Sequence, residues 1–458
     1  MKLHEAFEIT RGDVVAFIGA GGKTSTLVRL GYELADLKWR VLATTTTRIA
    51  EEQLKLFPYA MPIDAGNEAI SEALNRHHYV FIYETVSKGK VYGPDPAWLP
   101  TLLDSIDSDV LLVEADGARG LPLKAPYQHE PVIPPDTTLV VPVASLSVLG
   151  QPLDANHVYN AQAMIDRYGY YPGSRIKSPW VAQVLRDESL GLSGIPEKAR
   201  IAAFLNQTPA TGYLRGRARL IAQLALRSSR LHSVSLGMAR SANPIHEVQR
   251  PVAAVVLAAG LSRRMGQPKV LLPWTEHKTI IEHIVEQLIR SRIDPIVVVT
   301  GHHADEVKSL VKPLGCKVVF NRAYKTGEML SSLKAGLRAL PDNIAAAMIV
   351  LGDQPRLDPR VIHQVMTTYA ENASAIVAPS FEMRRGHPII ISRRLWPELL
   401  ALRGDAQPRD VINAHADQIT YVNVNTDSIL RDVDTPQDYD EERYRAGLGR
   451  YGKRHRRV

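Results

Sequence analysis

A glycine-rich segment early in the chain has the residue types needed to hold phosphate groups. Residues 19–25 read GAGGKTS, after the apolar run DVVAFI and before an amphipathic stretch. Glycines let successive backbone N–H groups turn toward one anion, and the start of the following helix adds a positive dipole. A lysine can reach the outer phosphates, and a threonine hydroxyl can bind Mg²⁺. We therefore predict a nucleotide site formed by Gly19, Gly21, Gly22, Lys23, Thr24 and Ser25.

The spacing of this loop is shorter than the standard Walker A pattern. That pattern would place glycine at position 17, where this chain has Phe17, so the loop matches the form G-x-x-G-K-[ST]. The same short pattern also occurs in ordinary βα turns. The strand before it and the helix after it favour nucleotide binding, with ATP or GTP as the ligand.

Two acids follow a buried strand and could act together with this loop. The stretch DVLLVEAD, residues 109–116, delivers Glu114 and Asp116 at the carboxyl end of the strand. Acids there hold Mg²⁺ or polarise an attacking water, although they can also merely cap the strand. The threonines at 44–47 and Arg48 also follow a strand; they either line the same crevice or form an ordinary turn.

A second glycine-rich turn, residues 257–269, has a different chemistry. It reads LAAGLSRRMGQPK and follows the apolar run 251–258. Nucleotide transfer at the α phosphate expels pyrophosphate, whose growing negative charge needs fixed cations. Arg264 and Lys269 are the candidates for this catalytic role.

The acids that could hold a metal beside this second turn lie far along the chain. Asp353 ends a strand in VLGDQP, and Asp432 and Asp434 lie in RDVDTPQD. Two acids from distant strands suit Mg²⁺-assisted transfer, because the ion neutralises triphosphate oxygens on both sides of the reacting phosphorus. An acceptor phosphate is mostly ionised at pH 7, so no general base is required.

Apolar β-rich runs alternate with helical patterns in both halves of the chain. Strands are expected near 13–18, 40–43, 110–113 and 138–143, and again near 251–258, 295–300 and 346–351. This alternation is typical of parallel sheets covered by helices. We predict two α/β domains, 1–235 and 251–445, joined by a linker at 236–250 and followed by a basic, disordered tail at 446–458.

The first half resembles the YqeC-type accessory proteins of selenium-dependent molybdenum hydroxylases. The motifs are DVVAFIGAGGKTS, VLATTTTR, HEPVIP and above all VEADGARGLPLKAP. The resemblance implies a P-loop NTPase-like domain with Asp116, Arg119 and Lys124 around the nucleotide or its product, and a client molybdenum hydroxylase. FLNQTPATG, residues 204–212, is similar to a base-reading element, but Pro209 replaces its acid, so no base preference follows.

The second half resembles the MocA-like molybdenum cofactor cytidylyltransferases. Its loop matches the nucleotidyltransferase signature L-A-x-G-x-S-x-R-M-G-x-x-K, and TGEMLSSLKAGL, RRGHPIII, GDQP and DVDTPQD carry the closer likeness. The resemblance implies a Rossmann-like α/β/α domain of the nucleotide-diphospho-sugar transferase type, CTP as substrate and molybdopterin as acceptor. It favours Asp353 with Asp434 as the Mg²⁺ ligands, and Asp432 is the alternative to Asp434. The residues implied for the nucleotide are Leu257, Ala258, Ala259, Gly260, Ser262, Gly266 and Ser332.

The same resemblance implies an acceptor site at Gly386, His387, Asp405 and Arg409. His387 could instead be a structural histidine. The chain departs from the G-D-x-G-[AS]-R pattern at residues 407 and 408, which implies an altered acceptor pocket. Relatives that use GTP tend to read LAGG, and the methyl group of Ala259 narrows the base pocket, which favours CTP.

Composition excludes several classes of protein. The chain has 458 residues, 45% hydrophobic and 22% charged, which is typical of a globular protein. The single cysteine, Cys316, excludes a disulfide framework and fits a reducing compartment. Five of the basic residues behind the net charge of +7 lie in 448–458, so we expect no nucleic-acid partner. No apolar run reaches the roughly 20 residues of a membrane span, so we expect a cytoplasmic protein without a membrane partner.

The motifs together predict a bifunctional protein of molybdenum hydroxylase maturation. An ATPase-like accessory module would precede a Mg²⁺-dependent cytidylyltransferase. Two alternatives stay open from the sequence: a guanylyl- or sugar-phosphate nucleotidyltransferase, and a non-catalytic chaperone that carries the cofactor.

Overall fold

The computed structural model describes residues 1–326, 328–372, 374–403 and 406–449. The chain divides into two compact units, Met1–Gln249 and Arg250–Val458. Asp405 and the part of the expected tail beyond residue 449 lie outside the described residues. Both units are α/β structures with largely parallel sheets, which confirms that part of the predicted fold class.

The first unit is built on one large sheet. Its strands are β1 (Asp13–Gly19), β2 (Val41–Thr45), β3 (Arg48–Ala50), β4 (Ala60–Pro62), β5 (Tyr79–Tyr83), β6 (Thr85–Ser87), β7 (Lys90–Tyr92), β8 (Val110–Glu114), β9 (Leu123–Lys124), β10 (Leu139–Ser145), β11 (Val158–Tyr159), β12 (Arg200–Asn206), β13 (Ser233–Gly237) and β14 (Ile245–Gln249). The main sheet has the order β14-β13-β12-β10-β1-β8-β2-β5-β4, and its strands are parallel except for β14. Strands β3, β7 and β6 form a small antiparallel sheet, and β9 pairs with β11.

Helices pack around this sheet. They are α1 (Leu3–Ala6), α2 (Lys23–Asp36), α3 (Asn67–His77), α4 (Leu99–Ser105), α5 (Ala161–Tyr168), α6 (Ser178–Arg186) and α7 (Tyr213–Ala225). Strand β1 is buried from Asp13 to Ile18, as a continuous apolar run in a sheet covered on both faces must be. The carboxyl ends of the parallel strands β1, β8, β10 and β12 meet at one edge, where the first glycine loop lies.

The prediction of a linker at 236–250 was wrong. Strand β14 pairs antiparallel with β13 and forms the edge of the main sheet. Glu247 of β14 is fully buried, and its carboxylate accepts hydrogen bonds of 2.8 and 2.9 Å from Nε of Arg219. Periodicity does not reveal this strand, because Glu247 interrupts its apolar pattern and the arginine that neutralises Glu247 lies far away in the sequence.

The second unit has a mixed sheet with a parallel core. Its strands are β15 (Val252–Ala258), β16 (Ile296–Thr300), β17 (Lys317–Phe320), β18 (Ala346–Leu351), β19 (Ile376–Phe381), β20 (Arg384–Arg385), β21 (Ile389–Ser392) and β22 (Ile419–Asn423). The order is β17-β16-β15-β18-β21-β19-β20, with β22 beside β19. Strands β15 to β18 are parallel, and β21 is antiparallel to both of its neighbours.

Its helices are α8 (Ile280–Arg290), α9 (Ala304–Val311), α10 (Glu328–Arg338), α11 (Pro359–Glu371), α12 (Trp396–Ala401), α13 (Pro408–Ala414) and α14 (Pro436–Arg445). Strands β15 and β18 are adjacent and parallel, so the second glycine loop and Asp353 leave the sheet side by side. Among the described residues, no helix combines the length and the apolar character that crossing a bilayer requires.

Candidate functional site

The first glycine loop is pressed against the ends of neighbouring strands. Gly19, Gly21 and Gly22 have φ angles of 87°, 81° and 131°, a region that side chains disfavour. A Cβ atom at Gly19 would collide with the carbonyl of Val143, and one at Gly22 would collide with the amide of Asn206. The glycines are therefore required both by the turn and by the close approach of the backbone.

The lysine of the loop is buried and paired with Asp116. Its Nζ donates to the carbonyl of Gly19 at 2.8 Å and lies 3.0 Å from Oδ1 of Asp116. The other carboxylate oxygen of Asp116 accepts the N–H of Gly19 at 2.9 Å. Burial lowers the pKa of Lys23, but Asp116 and Glu114 outweigh it, so the net shift is upward. Lys23 is charged and held in place from behind the loop.

A second buried lysine extends this network. The side chain of Lys124 has no exposed surface, and its Nζ lies 3.2 Å from Asp116 and 2.9 Å from Glu130. The ring of Tyr159 covers the same ammonium at 4.5 Å. With Glu114, whose pKa is raised by burial, these residues form what we call the buried charge cluster: Lys23, Lys124, Glu114, Asp116 and Glu130.

A cavity of about 1070 Å³ opens in front of the loop. Residues 21–25 and Glu114 line it, and Oγ1 of Thr24 donates to Glu114 at 2.8 Å. Asp116 and Gly19 are not among its lining residues, so Asp116 supports the loop from behind. Arg119 lines the cavity and Lys124 does not.

Of the threonine run, only Thr47 lines the cavity, together with Arg48. Thr44 faces away, since its hydroxyl donates to the carbonyl of Ile82 at 2.8 Å. The structure therefore brings Glu114, Arg119 and Arg48 to the loop and leaves most of the threonines in structural positions.

Two residues at this site carried no usable signal in the sequence. Asn206 donates to the carbonyl of Gly21 at 2.8 Å and accepts the N–H of Ala239 at 3.1 Å. Arg240 donates to the hydroxyl of Ser25 at 3.2 and 3.3 Å. Asn206 lies in the FLNQTPATG stretch, which lacks the acid of the base-reading element and so did not indicate a role for Asn206. Arg240 lies in the segment expected to be a linker.

The second glycine loop is closed by its own side chains. Ser262 has a φ angle of 49°, and its hydroxyl accepts the backbone N–H of Lys269 at 3.1 Å. Gly266 has a φ angle of 70° and donates its N–H to the carbonyl of Ser262 at 3.2 Å. This turn brings Lys269 back to the end of β15.

Both cations and two of the acids meet at this loop. The ammonium of Lys269 contacts Asp353 and lies 3.2 Å from Oδ1 of Asp434. The other oxygen of Asp434 accepts from Arg264 at 2.7 Å. Burial lowers the pKa of Lys269, but the two carboxylates, Asp353 first, give a net upward shift.

Asp432 is held beside this group by Gln354, whose amide donates to its carboxylate at 2.8 Å. Burial and then Asp353 raise the pKa of Asp432. Gly352 permits the approach, since a Cβ there would lie 2.7 Å from the carbonyl of Leu257. The three acids therefore converge from two distant segments.

Within the described ranges, no group of three or more His, Cys, Asp or Glu side chains is arranged around one metal position. Asp353 and Asp434 nevertheless face one point, because the ammonium of Lys269 contacts both. Carboxylate oxygens are the ligands that Mg²⁺ prefers, so this pair fits such an ion.

A cavity of about 520 Å³ lies over the second loop. Asn321 orients one polar group at its wall, donating to the hydroxyl of Ser332 at 3.0 Å. Of the residues predicted to act on the nucleotide, those that line the cavity are Leu257, Ala258, Ala259, Gly260, Ser262, Arg264, Lys269, Ser332, Asp353, Asp432 and Asp434. Gly266 is not among them.

Of the residues predicted to bind the acceptor, Gly386, His387 and Arg409 do not line this cavity. Gly386 packs against Ile429, and His387 donates its N–H to the carbonyl of Ile429 at 3.0 Å. His387 is half-buried, and burial followed by Arg385 lowers its pKa to about 4. Arg409 is exposed at the start of α13, and Asp405 lies outside the described residues.

Two family models match the chain, one in each unit. Residues 15–162 match the model described as YqeC protein, and residues 254–419 match the MobA-like NTP transferase domain. The first unit is 30% identical over 197 residues to the uncharacterized protein YqeC of Escherichia coli (strain K12), a match covering 43% of this chain and 77% of that protein. Both resemblances seen in the sequence motifs are thereby confirmed.

Two curated relatives match the second unit. The molybdenum cofactor cytidylyltransferase of Escherichia coli (strain K12) is 27% identical over 193 residues, covering 42% of this chain and 95% of that protein. The nicotine blue oxidoreductase of Paenarthrobacter nicotinovorans is also 27% identical, over 191 residues, covering 40% of this chain and 92% of that protein. The second unit is a nucleotidyltransferase domain.

Proposed function

The chain belongs to the YqeC family through its first unit and carries a MobA-like NTP transferase domain in its second, and from this premise we propose that the second unit is a cytidylyltransferase of molybdenum cofactor maturation. It transfers CMP from CTP to the phosphate of molybdenum-bound molybdopterin. An acceptor oxygen forms a bond to the α phosphorus, the bond from that phosphorus to the bridging oxygen breaks, and pyrophosphate leaves with the electron pair. The products are molybdopterin cytosine dinucleotide and pyrophosphate.

The convergence of Lys269, Arg264, Asp353 and Asp434 beside the second glycine loop is the observation that supports this proposal. Lys269 and Arg264 neutralise the charge that grows on the departing pyrophosphate, and the loop backbone orients the triphosphate. Mg²⁺ held by Asp353 and Asp434, with Asp432 as the alternative to Asp434, would supply further neutralisation at the triphosphate oxygens. Positioning and charge therefore account for catalysis without a general base.

The preference for CTP is supported by Ala259. Its side chain is 5% exposed and lines the cavity, where its methyl group takes space that a purine would need. Gly386, His387, Asp405 and Arg409 are proposed for the acceptor from the resemblance. The backbone N–H of His387 and the side-chain amide of Gln354 both donate to the carbonyl of Ile429, the latter at 3.4 Å. Gln354 also donates to Asp432, so these contacts link His387 to the acids.

The first unit, in this proposal, is a P-loop NTPase-like accessory module that binds ATP or GTP and serves a client molybdenum hydroxylase. Support comes from the three glycines, the buried Lys23 and the contact between Thr24 and Glu114 in one cavity. Thr24 and Glu114 offer oxygen ligands for a Mg²⁺ ion there. A role in selenium-dependent maturation follows from the resemblance.

Pyrophosphate release from the purified chain tests the proposal. Each of CTP, GTP, UTP and ATP is supplied with Mg²⁺ and either molybdopterin or a sugar phosphate, and we expect release with CTP and molybdopterin. Equal release with GTP would support a guanylyltransferase, and release only with a sugar phosphate would support that alternative acceptor. Binding of the cofactor without release would identify a chaperone. The oxidoreductase named among the relatives makes this direct measurement necessary, because similarity of the domain alone does not fix the reaction.

A further inference from the structure

The turn Met238–Pro244 lies beside the first glycine loop and is anchored from several sides. Its ends meet through the N–H of Met238, which donates to the carbonyl of Pro244 at 2.8 Å. Arg29 of helix α2 donates to the carbonyl of Ala242 at 3.1 Å. The N–H of Ala239 donates to Asn206, which also holds the carbonyl of Gly21. The turn therefore has a fixed position relative to the loop.

Arg240 extends from this turn into the cavity in front of the loop. Its side chain is exposed, and its guanidinium donates to the neutral hydroxyl of Ser25. In the part of the chain that the structure describes, no carboxylate pairs with it. A guanidinium has five N–H donors, so most of them and the whole charge remain available to an anion.

The buried charge cluster cannot supply the charge that a triphosphate needs. When all its members are ionised, Lys23 and Lys124 face Glu114, Asp116 and Glu130, and the cluster carries one net negative charge. Cations from outside the cluster must therefore balance the phosphates.

Three further cations line the same cavity: Arg48, Lys90 and Arg119. Arg48 and Lys90 belong to the small antiparallel sheet, and Arg119 lies over the ring of Tyr159 at 5.7 Å. Within the described part of the chain, none of the three donates a hydrogen bond to the loop. Arg240 differs because it reaches Ser25, the third residue of helix α2, which directly follows Thr24 in the chain.

We propose that Arg240, an arginine of the same chain, binds the outer phosphates of a nucleoside triphosphate at the first glycine loop. This inference rests on the proposed nucleotide site of the first unit and adds its phosphate-contacting cation. The guanidinium gives up the neutral hydroxyl of Ser25 for charged phosphate oxygens, to which planar, bidentate donors are well suited. The ligand class is a nucleoside di- or triphosphate, since a monophosphate has no outer phosphate to contact.

Binding of ATP and GTP with Mg²⁺ to the full chain provides the test. The Lys23→Met variant defines the part of the binding that belongs to the first unit. We expect Arg240→Gln to weaken that part about 10- to 100-fold, as the loss of a charge-assisted contact does, and Arg240→Lys to restore some of it. AMP and GMP should bind equally to the parent chain and to Arg240→Gln.

Controls separate binding from support of the turn. Arg76→Gln removes an exposed arginine that does not line the cavity, and it should bind as the parent chain does. Ser25→Ala breaks the contact with Arg240 but keeps its charge, so its loss should be smaller than that of Arg240→Gln. An equal loss in both variants would mean that Arg240 only anchors the turn, and the inference would be wrong.

Two further outcomes distinguish the inference from its premise. If Lys23→Met abolishes binding and Arg240→Gln changes nothing, the nucleotide site stands and the role of Arg240 is refuted. If Lys23→Met leaves binding intact, the proposed nucleotide site fails and the inference fails with it.

Discussion

The backbone N–H of Val433 donates a hydrogen bond of 2.9 Å to the main-chain carbonyl of Asp353. This bond joins the end of β18 to the segment before α14, and it places Asp432 and Asp434 on either side of the contact. Because only backbone atoms take part, the charge of the acids can be changed without releasing the two segments from each other. The acid group of the second unit is therefore open to clean mutational tests.

Asp353→Asn should lower pyrophosphate release about 100-fold or more, because it removes one of two carboxylates that face the same point. The thermal unfolding midpoint should change little, since the backbone bond to Val433 remains. Asp342→Asn is the matched control, an exposed acid paired with Arg393 at 2.8 Å, and it should retain full activity. Unchanged release in Asp353→Asn would contradict its proposed metal-binding role.

Lys269→Met should make the second unit more responsive to Mg²⁺. The ammonium now neutralises Asp353 and Asp434, and without it the two carboxylates repel each other until a cation binds. We expect Mg²⁺ to raise the melting temperature of this variant by about 2 °C more than that of the parent chain. Lys308→Met, at an exposed helical position, should respond as the parent does. Equal responses in all three proteins would argue against a cation site at these acids.

Ala259→Gly should weaken the preference for CTP over GTP. Removing the methyl group from the cavity wall leaves room for a purine, and a difference of that size changes discrimination about 10-fold. The ratio of kcat/KM for the two nucleotides measures the effect, while turnover of CTP should stay within about threefold. An unaltered ratio would mean that other residues select the base.

Asp116→Asn should destabilise the first unit by about 3 kcal/mol, because it leaves the buried Lys23 and Lys124 without the carboxylate that they share. Asparagine keeps the size of the side chain and an oxygen that can accept the N–H of Gly19. The loss of stability should therefore come mainly from the lost negative charge. Thermal unfolding of the full chain, with the exposed Asp64→Asn as control, provides the measurement. A midpoint equal to that of the control would show that the cluster tolerates the loss.

The stability of the second unit should fall as the pH falls from 6.5 toward 4. His387 has a folded pKa of about 4 against an ordinary value of 6.5, so in this interval the unfolded chain binds a proton that the folded chain does not. The contribution is about 3 kcal/mol and is lost fully only below the folded pKa. His387→Gln should flatten this part of the pH dependence of urea unfolding. The exposed His277→Gln should leave it unchanged.

Local signals in the sequence predicted the parts of the sites that depend on strand, turn and helix order. Both glycine loops follow central strands, and the second loop lies beside Asp353 because β15 and β18 are adjacent and parallel. Asp432 joins them through Gln354. Asp353 lies two positions past the end of β18, but Lys269 and Asp434 each lie eleven positions past the strand that precedes them, so the sequence motifs and not the strand ends predicted those two residues.

The features that the sequence could not predict depend on ion pairs between residues that are far apart in the chain. Asp116 was expected at the nucleotide, but it turns behind the loop because two buried lysines and the N–H of Gly19 hold it there. Strand β14 was read as a linker because the partners of Glu247 lie on helix α7. Neither the glycine-loop motifs nor the apolar periodicity predicts the position of Arg240, since this position depends on the pairing of β13 with β14.

Only Arg250 and Pro251 separate the last strand of the first unit from the first strand of the second. Dissecting the protein therefore demands a cut at those two positions. A fragment ending at residue 235 would cut through β13, leave Arg215 and Arg219 without Glu247 and discard the turn that carries Arg240. Inactivity of such a fragment would report damage to its sheet rather than dependence on the missing half.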